Sequence, residues 1–220
     1  MSLRPTNTAD VVDAVIATER LNLVGSNSKA RFRIPVEPAR ITLDLSALTG
    51  IVDFSPNDQV VSVRAGTRIS DLQTALAESR QCIPVGDPMG TVAGALSLNL
   101  PHALEGVCGS WRDWVLGMTL VQADGTVAKS GSHAVKNVAG YDLHKLAIGA
   151  RGTMWVIAEV ILKTFPIRSL PEIGPCPSLI TGHATWMQRT LPQDFAAASR
   201  IGEGGWNDVG SSTRSEEPHV

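Results

Sequence analysis

The sequence predicts a fold of the α+β class, and three local patterns support that prediction. Apolar residues recur at helical spacing near the start of the chain, with Val11 and Val15 on one side. A β-branched run at 156–161 has the composition of a strand. Asp124-Gly125, between two apolar runs, indicates an antiparallel hairpin, because this pair readily adopts the positive φ angles of a tight turn.

The composition is that of a soluble globular protein. The chain has 220 residues, 43% of them hydrophobic and 18% charged, which suffices for a buried core. A net charge of −2 without a lysine or arginine cluster argues against a nucleic-acid partner. Cys82, Cys108 and Cys176 lack the close spacing of metal or redox pairs, and the histidines lack that of a zinc site. No stretch is long enough to span a bilayer and no export signal is evident, so we expect a cytoplasmic protein without a metal.

The first predicted elements lead into a loop of small polar residues. A helix is expected over 9–19 with Thr8 as its N-cap, followed by a strand over 21–24. The loop at 25–29 reads Gly-Ser-Asn-Ser-Lys, and its backbone N–H groups can turn toward a phosphate. It matches neither the Walker nor the Rossmann pattern. From these residues alone, a phosphate site and an ordinary turn both remain open.

The following segment predicts the remainder of a small α+β lobe that ends near Ile83. Predicted strands cover 41–45, 51–54 and 59–65, with a turn at 57–58, and a helix covers 71–78 with Ser70 as its N-cap. Residues 84–99 then break the periodicity. Their repeated prolines and glycines predict an extended, rigid path with room for a close neighbour.

The second half of the chain predicts a hairpin, a short helix and a final strand. The predicted strands cover 115–122, 126–129 and 156–161, the last ended by Pro166. Leu143, Leu146 and Ile148 form a brief helical stripe, and Gly149 occupies the left-handed position after it.

Motifs in this half match a known family. Residues 135–143 read Val-Lys-Asn-Val-Ala-Gly-Tyr-Asp-Leu, and further matches are Lys145-Leu146, Ile148-Gly149, Gly152-Thr153, Val156-Ile157 and Glu159. The sequence closely resembles the FAD-binding domain of the vanillyl-alcohol oxidase type, also termed PCMH-type, and within it the FAD-binding subunits of bacterial glycolate oxidases. The resemblance extends over residues 8–166. The alternative is a strand-helix-strand unit with ordinary turn glycines.

The resemblance implies a two-lobed FAD-binding domain. A small α+β lobe, residues 1–84, carries the pyrophosphate loop and packs against a larger, mainly antiparallel sheet lobe with flanking helices, residues 85–168. Residues 169–220 are expected to form a partly disordered tail. The substrate or cap domain of the related oxidases is expected to be lacking.

The resemblance also implies the residues that bind FAD. They are Gly25, Ser26, Asn27, Ser28 and Lys29 at the pyrophosphate, Pro88, Thr91, Gly94, Ser97 and Asn99 along the ribityl chain and flavin ring, and Asn137, Gly140, Tyr141, Gly152, Thr153 and Ile157. Two residues depart from the family pattern. Ala93 and Trp155 each stand where a glycine is usual, and the added methyl of Ala93 would crowd the flavin unless the backbone shifts.

Three further residues are weighed as site candidates. Arg112 and Asp113 match the family's Gly-Ser-x-Arg-Asp loop, and we expect a structural ion pair or loop clamp in preference to a direct cofactor role. His102 is expected to be a surface residue, the alternative being an acid or base near the flavin.

The function implied is that of a flavoprotein subunit. Non-covalent FAD is expected, because the loop at 25–29 contains no histidine or cysteine. The expected reaction is oxidation of a small 2-hydroxy acid such as glycolate, beside a catalytic flavoprotein subunit and an iron-sulfur subunit. No catalytic base is identifiable, so activity of the chain alone stays open. The alternative is a non-catalytic, truncated homologue that acts as an assembly or interaction subunit.

Overall fold

A computed structural model describes residues 1–30, 41–85, 89–99, 102, 104–133 and 141–169. These residues belong to one compact unit, Met1–Cys176. Nearly all of the predicted tail, residues 169–220, lies outside the described residues. The described strands are β1 Ser2–Leu3, β2 Leu21–Val24, β3 Ile41–Asp44, β4 Ile51–Ser55, β5 Val60–Arg64, β6 Gln81–Cys82, β7 Val115–Val121, β8 Val127–Gly131, β9 Val156–Lys163 and β10 Phe165–Pro166. The described α-helices are α1 Thr8–Ile16, α2 Ile69–Ala77, α3 Val92–Leu98, α4 Glu105–Cys108, α5 Trp111–Trp114 and α6 His144–Ala147.

The predicted α+β class and mainly antiparallel sheet are confirmed. Five strands form a sheet in the order β4-β5-β9-β7-β8, and every neighbouring pair is antiparallel. Val61, Val63 and Val160 on its inner strands are fully buried, as β-branched residues on a covered sheet face should be. The predicted hairpin joins β7 to β8, with Gly125 at a φ of +83°.

A smaller parallel sheet positions the polar loop. Its order is β1-β3-β2, and helix α1 contributes the buried side chains of Val11 and Val15 to the core. Strand β2 has the predicted bounds and ends at Val24, so the loop starts at the carboxyl end of a parallel strand. Ligands of α/β sheets commonly bind at such ends.

The five-stranded sheet takes strands from both sides of residue 84, because β4 and β5 pair into it alongside β7, β8 and β9. The larger sheet therefore combines strands from both predicted residue ranges. A separate two-stranded sheet joins β6 to β10, with Cys82 opposite Phe165. The division into lobes 1–84 and 85–168 stays a prediction.

Two helix caps differ from the prediction. Asn7, not Thr8, caps α1, because its extended backbone directs Oδ1 to the N–H of Asp10 at 3.0 Å. Helix α2 begins at Ile69, so Ser70 lies inside the first turn and donates its hydroxyl to Asp71.

The predicted extended path at 84–99 is wrong for its second half, where α3 forms. The cluster of prolines and glycines ends at Gly90, and the segment after it contains a single glycine, Gly94. Thr91 then caps the helix by accepting a hydrogen bond from the N–H of Gly94 at 3.2 Å. The predicted stripe after residue 142 is also wrong in part. Leu143 and Leu146 are exposed, while His144, Ala147 and Ile148 are buried.

No helix within the described residues is long and apolar enough to cross a membrane.

Candidate functional site

A cleft brings together segments that are far apart in the sequence. It encloses about 830 Å³ when the solvent at its mouth is included. The described residues that line it are Leu23 to Ala30, Leu45, Ala65, Thr91, Ala93, Gly94, Ser97, Leu98, Arg151, Gly152, Trp155 and Ile157. The loop after β2, helix α3 and the turn before β9 thus share one concave surface.

Most of the predicted FAD-binding residues lie on this surface. The whole loop at 25–29 lines it, together with Thr91, Gly94 and Ser97 from the α3 region and Gly152 and Ile157 from the last turn and strand. Pro88, Asn137 and Gly140 lie outside the described residues.

Three predicted residues are described but do not line the cleft. Asn99 ends α3 in the left-handed conformation, with its N–H bonded to the carbonyl of Ala95. The hydroxyl of Thr153 donates to the carbonyl of Ala150 at 2.7 Å, and the side chain of Tyr141 is exposed to solvent. For Asn99 and Thr153 these contacts are structural, and a cofactor contact stays a prediction for all three.

The polar loop turns back on itself and packs closely against Gly90. Asn27 has a φ of +57°, which turns the loop back so that the N–H of Ala30 reaches the carbonyl of Asn27 at 3.3 Å. A Cβ atom on Gly90 would lie 2.7 Å from Nζ of Lys29 and 2.8 Å from Oγ of Ser28. Nζ of Lys29 also donates to the carbonyl of Met89. An ammonium group and a hydroxyl therefore converge at Gly90, one edge of the cleft.

The turn before β9 packs against α3 and forms a further part of the cleft wall. The N–H of Gly149 bonds to the carbonyl of Leu96, and that of Arg151 bonds to the carbonyl of Ser97, each at 2.9 Å. Positive φ angles at Gly149 and Gly152, +82° and +74°, allow the chain to fold this tightly against α3. The left-handed conformation predicted for Gly149 is confirmed.

The two departures from the family pattern both lie on the cleft wall. Ala93 is buried, and its N–H bonds to the carbonyl of Ala65 at 3.0 Å, so its position is fixed by the sheet. Trp155 is half-buried and packs against the core, two residues before Ile157 on the same wall.

The cleft has a positive electrostatic character. Among the described lining residues only Lys29 and Arg151 carry a charge, and both are cations. Sequence reasoning missed Arg151 although it stands directly before the matched Gly152-Thr153 pair. The signal available was a cation inside a glycine turn already expected to approach the cofactor.

The loop at 109–113 is a clamp away from the cleft. Asp113 accepts hydrogen bonds from the backbone N–H and the hydroxyl of Ser110, at 2.7 and 2.8 Å, which caps α5. These bonds hold the pKa of the Asp113 carboxyl below its usual range. The loop-clamp alternative thus holds for Asp113, and no ion pair joins it to Arg112 within the described residues.

The surface position predicted for His102 is wrong. Its ring centroid lies 4.6 Å from that of Trp114, and Nε2 lies 3.1 Å from the carbonyl oxygen of Gly109. Burial lowers the pKa of His102. Because His102 does not line the cleft, this packing gives it a structural role.

A serine, a histidine and an aspartate also meet on the large sheet. Nε2 of His133 lies 2.8 Å from Oγ of Ser62, and Nδ1 lies 3.4 Å from Oδ2 of Asp53. The order resembles that of a hydrolase triad, but Ser62 is only 1% exposed and sits inside strand β5. A buried strand serine offers neither substrate access nor the free N–H groups that an oxyanion needs. Within the described residues no group of three metal-ligating side chains occurs.

The fold is that of a FAD-binding domain, and comparison with known proteins agrees. A family model described as FAD binding domain matches residues 1–131. The chain belongs to this family.

Similar proteins include several FAD-linked oxidoreductases. The chain is 35% identical over 150 residues to glycolate oxidase subunit GlcE of Escherichia coli (strain K12), which covers 66% of the chain and 42% of GlcE. It is 29% identical over 128 residues to D-lactate dehydrogenase of Anaerostipes hadrus, covering 57% and 27%. It is 31% identical over 121 residues to glycolate oxidase subunit GlcD of Bacillus subtilis (strain 168), covering 53% and 25%. The chain thus spans less than half the length of these relatives. The family and its relatives support FAD as the cofactor.

Proposed function

We propose that the chain binds FAD non-covalently in this cleft, with the FAD pyrophosphate over the loop at 25–29. The observation that carries the proposal is the convergence of this loop, helix α3 and the turn at 149–152 on one concave surface. These segments are the ones for which the family resemblance implies cofactor contact, and their convergence was not required by their positions in the sequence.

The residues present fit a dinucleotide. Gly25 lies directly against Thr91, and a side chain at residue 25 would fill the space between them. Because glycine has no side chain, the backbone of the loop stays accessible to a ligand. Backbone N–H groups in such a turn, two serine hydroxyls and the ammonium group of Lys29 form a suitable donor set for phosphate oxygens.

The side chains on the cleft wall support non-covalent binding. No histidine or cysteine occurs among the described residues that line the cleft, so these residues provide no group for a covalent bond to the flavin. In this cleft FAD would be held by hydrogen bonds, by charge and by apolar contact with Leu23, Trp155 and Ile157, all of which line it.

We assign the chain to a glycolate or 2-hydroxy-acid oxidase as its FAD-binding subunit. The similarity to glycolate oxidase subunits and D-lactate dehydrogenases supports this class of substrate. When bound, the flavin supplies the two-electron chemistry of hydroxy-acid oxidation. Among the described lining residues no carboxylate or imidazole is present to accept the hydroxyl proton. We therefore place that base on a partner, a catalytic flavoprotein subunit, with an iron-sulfur subunit receiving the electrons.

A cytoplasmic location is part of the same proposal. Cys82 and Cys108 are free thiols, as expected in a reducing compartment.

A second candidate is an assembly subunit that does not use FAD. It is favoured by the position of Trp155, whose indole ring occupies part of a wall where the family usually has a glycine.

Titration of the purified chain with FAD, followed by flavin fluorescence, separates the two candidates. The proposal predicts saturable quenching and full release of FAD on acid precipitation. An apoprotein that cannot be loaded with FAD would defeat it and leave the assembly subunit. Affinity purification from the native host then tests for a second flavoprotein and an iron-sulfur protein in the same complex.

A further inference from the structure

The side chain of Arg151 lies on the cleft wall, and none of the residues that the structure describes forms an ion pair with it. It is half-buried, and its guanidinium forms no hydrogen bond or ion pair with any described residue. Arginine is always charged and is rarely buried without a partner, because desolvation of its charge is costly. A half-buried guanidinium on the wall of an open cleft is available to an anionic ligand.

The backbone of Arg151 supports the same interpretation. Its φ of +54° is left-handed, a conformation that is unfavourable for a residue with a Cβ atom. Its neighbours Gly149 and Gly152 adopt positive φ without that cost. Strained residues of this kind concentrate at ligand-binding sites, where the surrounding structure holds them in place.

The turn that carries Arg151 packs beside the origin of the polar loop. A Cβ atom on Gly152 would lie 3.0 Å from Cδ1 of Leu23, which stands two residues before Gly25. On the far side of that loop, Lys29 lies against Gly90. The cleft therefore has one cation on each of two separate segments, with the serine hydroxyls of the loop in the same cleft.

We propose that Arg151 is a second cationic contact for the diphosphate of FAD, complementing Lys29. This inference rests on the proposed function and adds a binding residue to it. A guanidinium can donate two parallel hydrogen bonds to phosphate oxygens, whereas an ammonium acts as a point charge. The two contacts together would select a dinucleotide over a flavin without phosphate.

The variant Arg151→Gly tests the proposal because charge and strain predict opposite effects. Removing the guanidinium should raise the Kd for FAD about 10-fold or more, as expected for loss of a charge-assisted hydrogen bond. It should also flatten the dependence of log Kd on log salt. Relief of the left-handed strain should leave the melting temperature of the apoprotein unchanged or higher.

Arg80→Gly is the matched control. Arg80 is also left-handed, with a φ of +57°, but it is exposed and does not line the cleft. This variant should give a similar change in apoprotein stability with an unchanged Kd for FAD. Arg151→Lys, which keeps the charge but loses the planar fork, should bind FAD with intermediate affinity.

Two results would overturn the inference in distinguishable ways. If the wild-type chain binds FAD and Arg151→Gly binds it with the same Kd and salt dependence, Arg151 does not contact the diphosphate while the proposed function stands. If the wild-type chain binds no FAD, both proposals fail together. Should Arg151→Gly lower apoprotein stability, Arg151→Gln, which keeps the Cβ atom, carries the same Kd comparison.

Discussion

Gly25 and Thr91 pack directly against each other, and both line the cleft. A Cβ atom on Gly25 would lie 2.6 Å from Oγ1 of Thr91, which is too close for a contact between a carbon and an oxygen atom. The same Oγ1 accepts the capping hydrogen bond from the N–H of Gly94. The polar loop and helix α3 are therefore coupled, because the space available at residue 25 depends on the Thr91 side chain that caps α3.

Gly25→Ala should weaken both stability and cofactor binding. The new methyl group forces Thr91 to rotate and lose its cap, at a cost of about 1–2 kcal/mol in the free energy of unfolding. Because the loop backbone must also move, FAD affinity should fall. Gly106→Ala is the control, since a Cβ there meets nothing within 4 Å and alanine favours a helix. Denaturant unfolding and FAD titration of both variants check this, and equal stability of Gly25→Ala and wild type would contradict it.

Thr91→Val should remove the cap of α3 without a substitution in the loop itself. Valine keeps the shape but cannot accept the hydrogen bond from Gly94, so the free energy of unfolding should fall by about 1 kcal/mol. Thr91→Ser keeps the hydroxyl and should remain close to wild type. Chemical denaturation of the two variants provides the measurement. A loss in Thr91→Ser without a loss in Thr91→Val would show that the methyl group, not the cap, matters.

Stability should decrease as the pH falls below neutrality. Burial lowers the pKa of His144, whose Nδ1 lies 3.0 Å from Oγ of Ser130, and burial likewise lowers that of His102. With a folded pKa below the unfolded value of about 6.5, each histidine takes up a proton more readily in the unfolded chain. Their stabilisation is therefore complete above that pH and is lost as the pH falls through it toward the folded pKa. Denaturant unfolding at several pH values should show this slope, and His144→Gln should reduce it; an unchanged slope would exclude His144 as a source.

Asp113→Ala should destabilise the fold without changing FAD affinity. Loss of the two hydrogen bonds to Ser110 removes the cap of α5, at a cost of about 1 kcal/mol. Asp113 lies outside the cleft lining, so the Kd for FAD should stay within error. Asp13→Ala, on the exposed face of α1, should alter neither quantity. A large rise in Kd for Asp113→Ala would restore a direct cofactor role.

The variant Trp155→Gly tests whether the Trp155 indole forms part of the FAD site or blocks FAD binding. Removing the half-buried indole should lower the free energy of unfolding by about 2 kcal/mol. We expect no gain in FAD affinity, because the cleft already exists beside the ring. Trp155→Phe, which keeps an aromatic wall, should lose less stability. A tenfold gain in FAD affinity for Trp155→Gly would instead indicate that the ring blocks the site, as the assembly-subunit alternative requires.

The sequence allowed local structure to be predicted where the pattern was strong and short-ranged. Strand β2 has the predicted bounds, and the predicted hairpin forms around Gly125. Both features depend on residues that are neighbours in the sequence. Helix α3 was missed, because residues 92–98 are mostly small and include Gly94, so they give no helical stripe, and the Thr91 cap supplies the start. Strand pairing across the large sheet depends on distant contacts that no local window contains.

The candidate site shows the same division. Family motifs located the loop at 25–29 and the turn at Gly152, but not the fact that Arg151 and Trp155 share their cleft. Arg151 is left-handed without being a glycine, and residue type alone does not predict that. Its exposure toward the cleft depends on the packing of the turn against α3.

A crystal structure of the chain grown with FAD tests the central claim most directly. The account predicts FAD in the cleft, its diphosphate within hydrogen-bond distance of the N–H groups at 25–29 and of the Arg151 guanidinium. FAD bound at another surface, or a loop at 25–29 that contacts no part of a bound FAD, would contradict it.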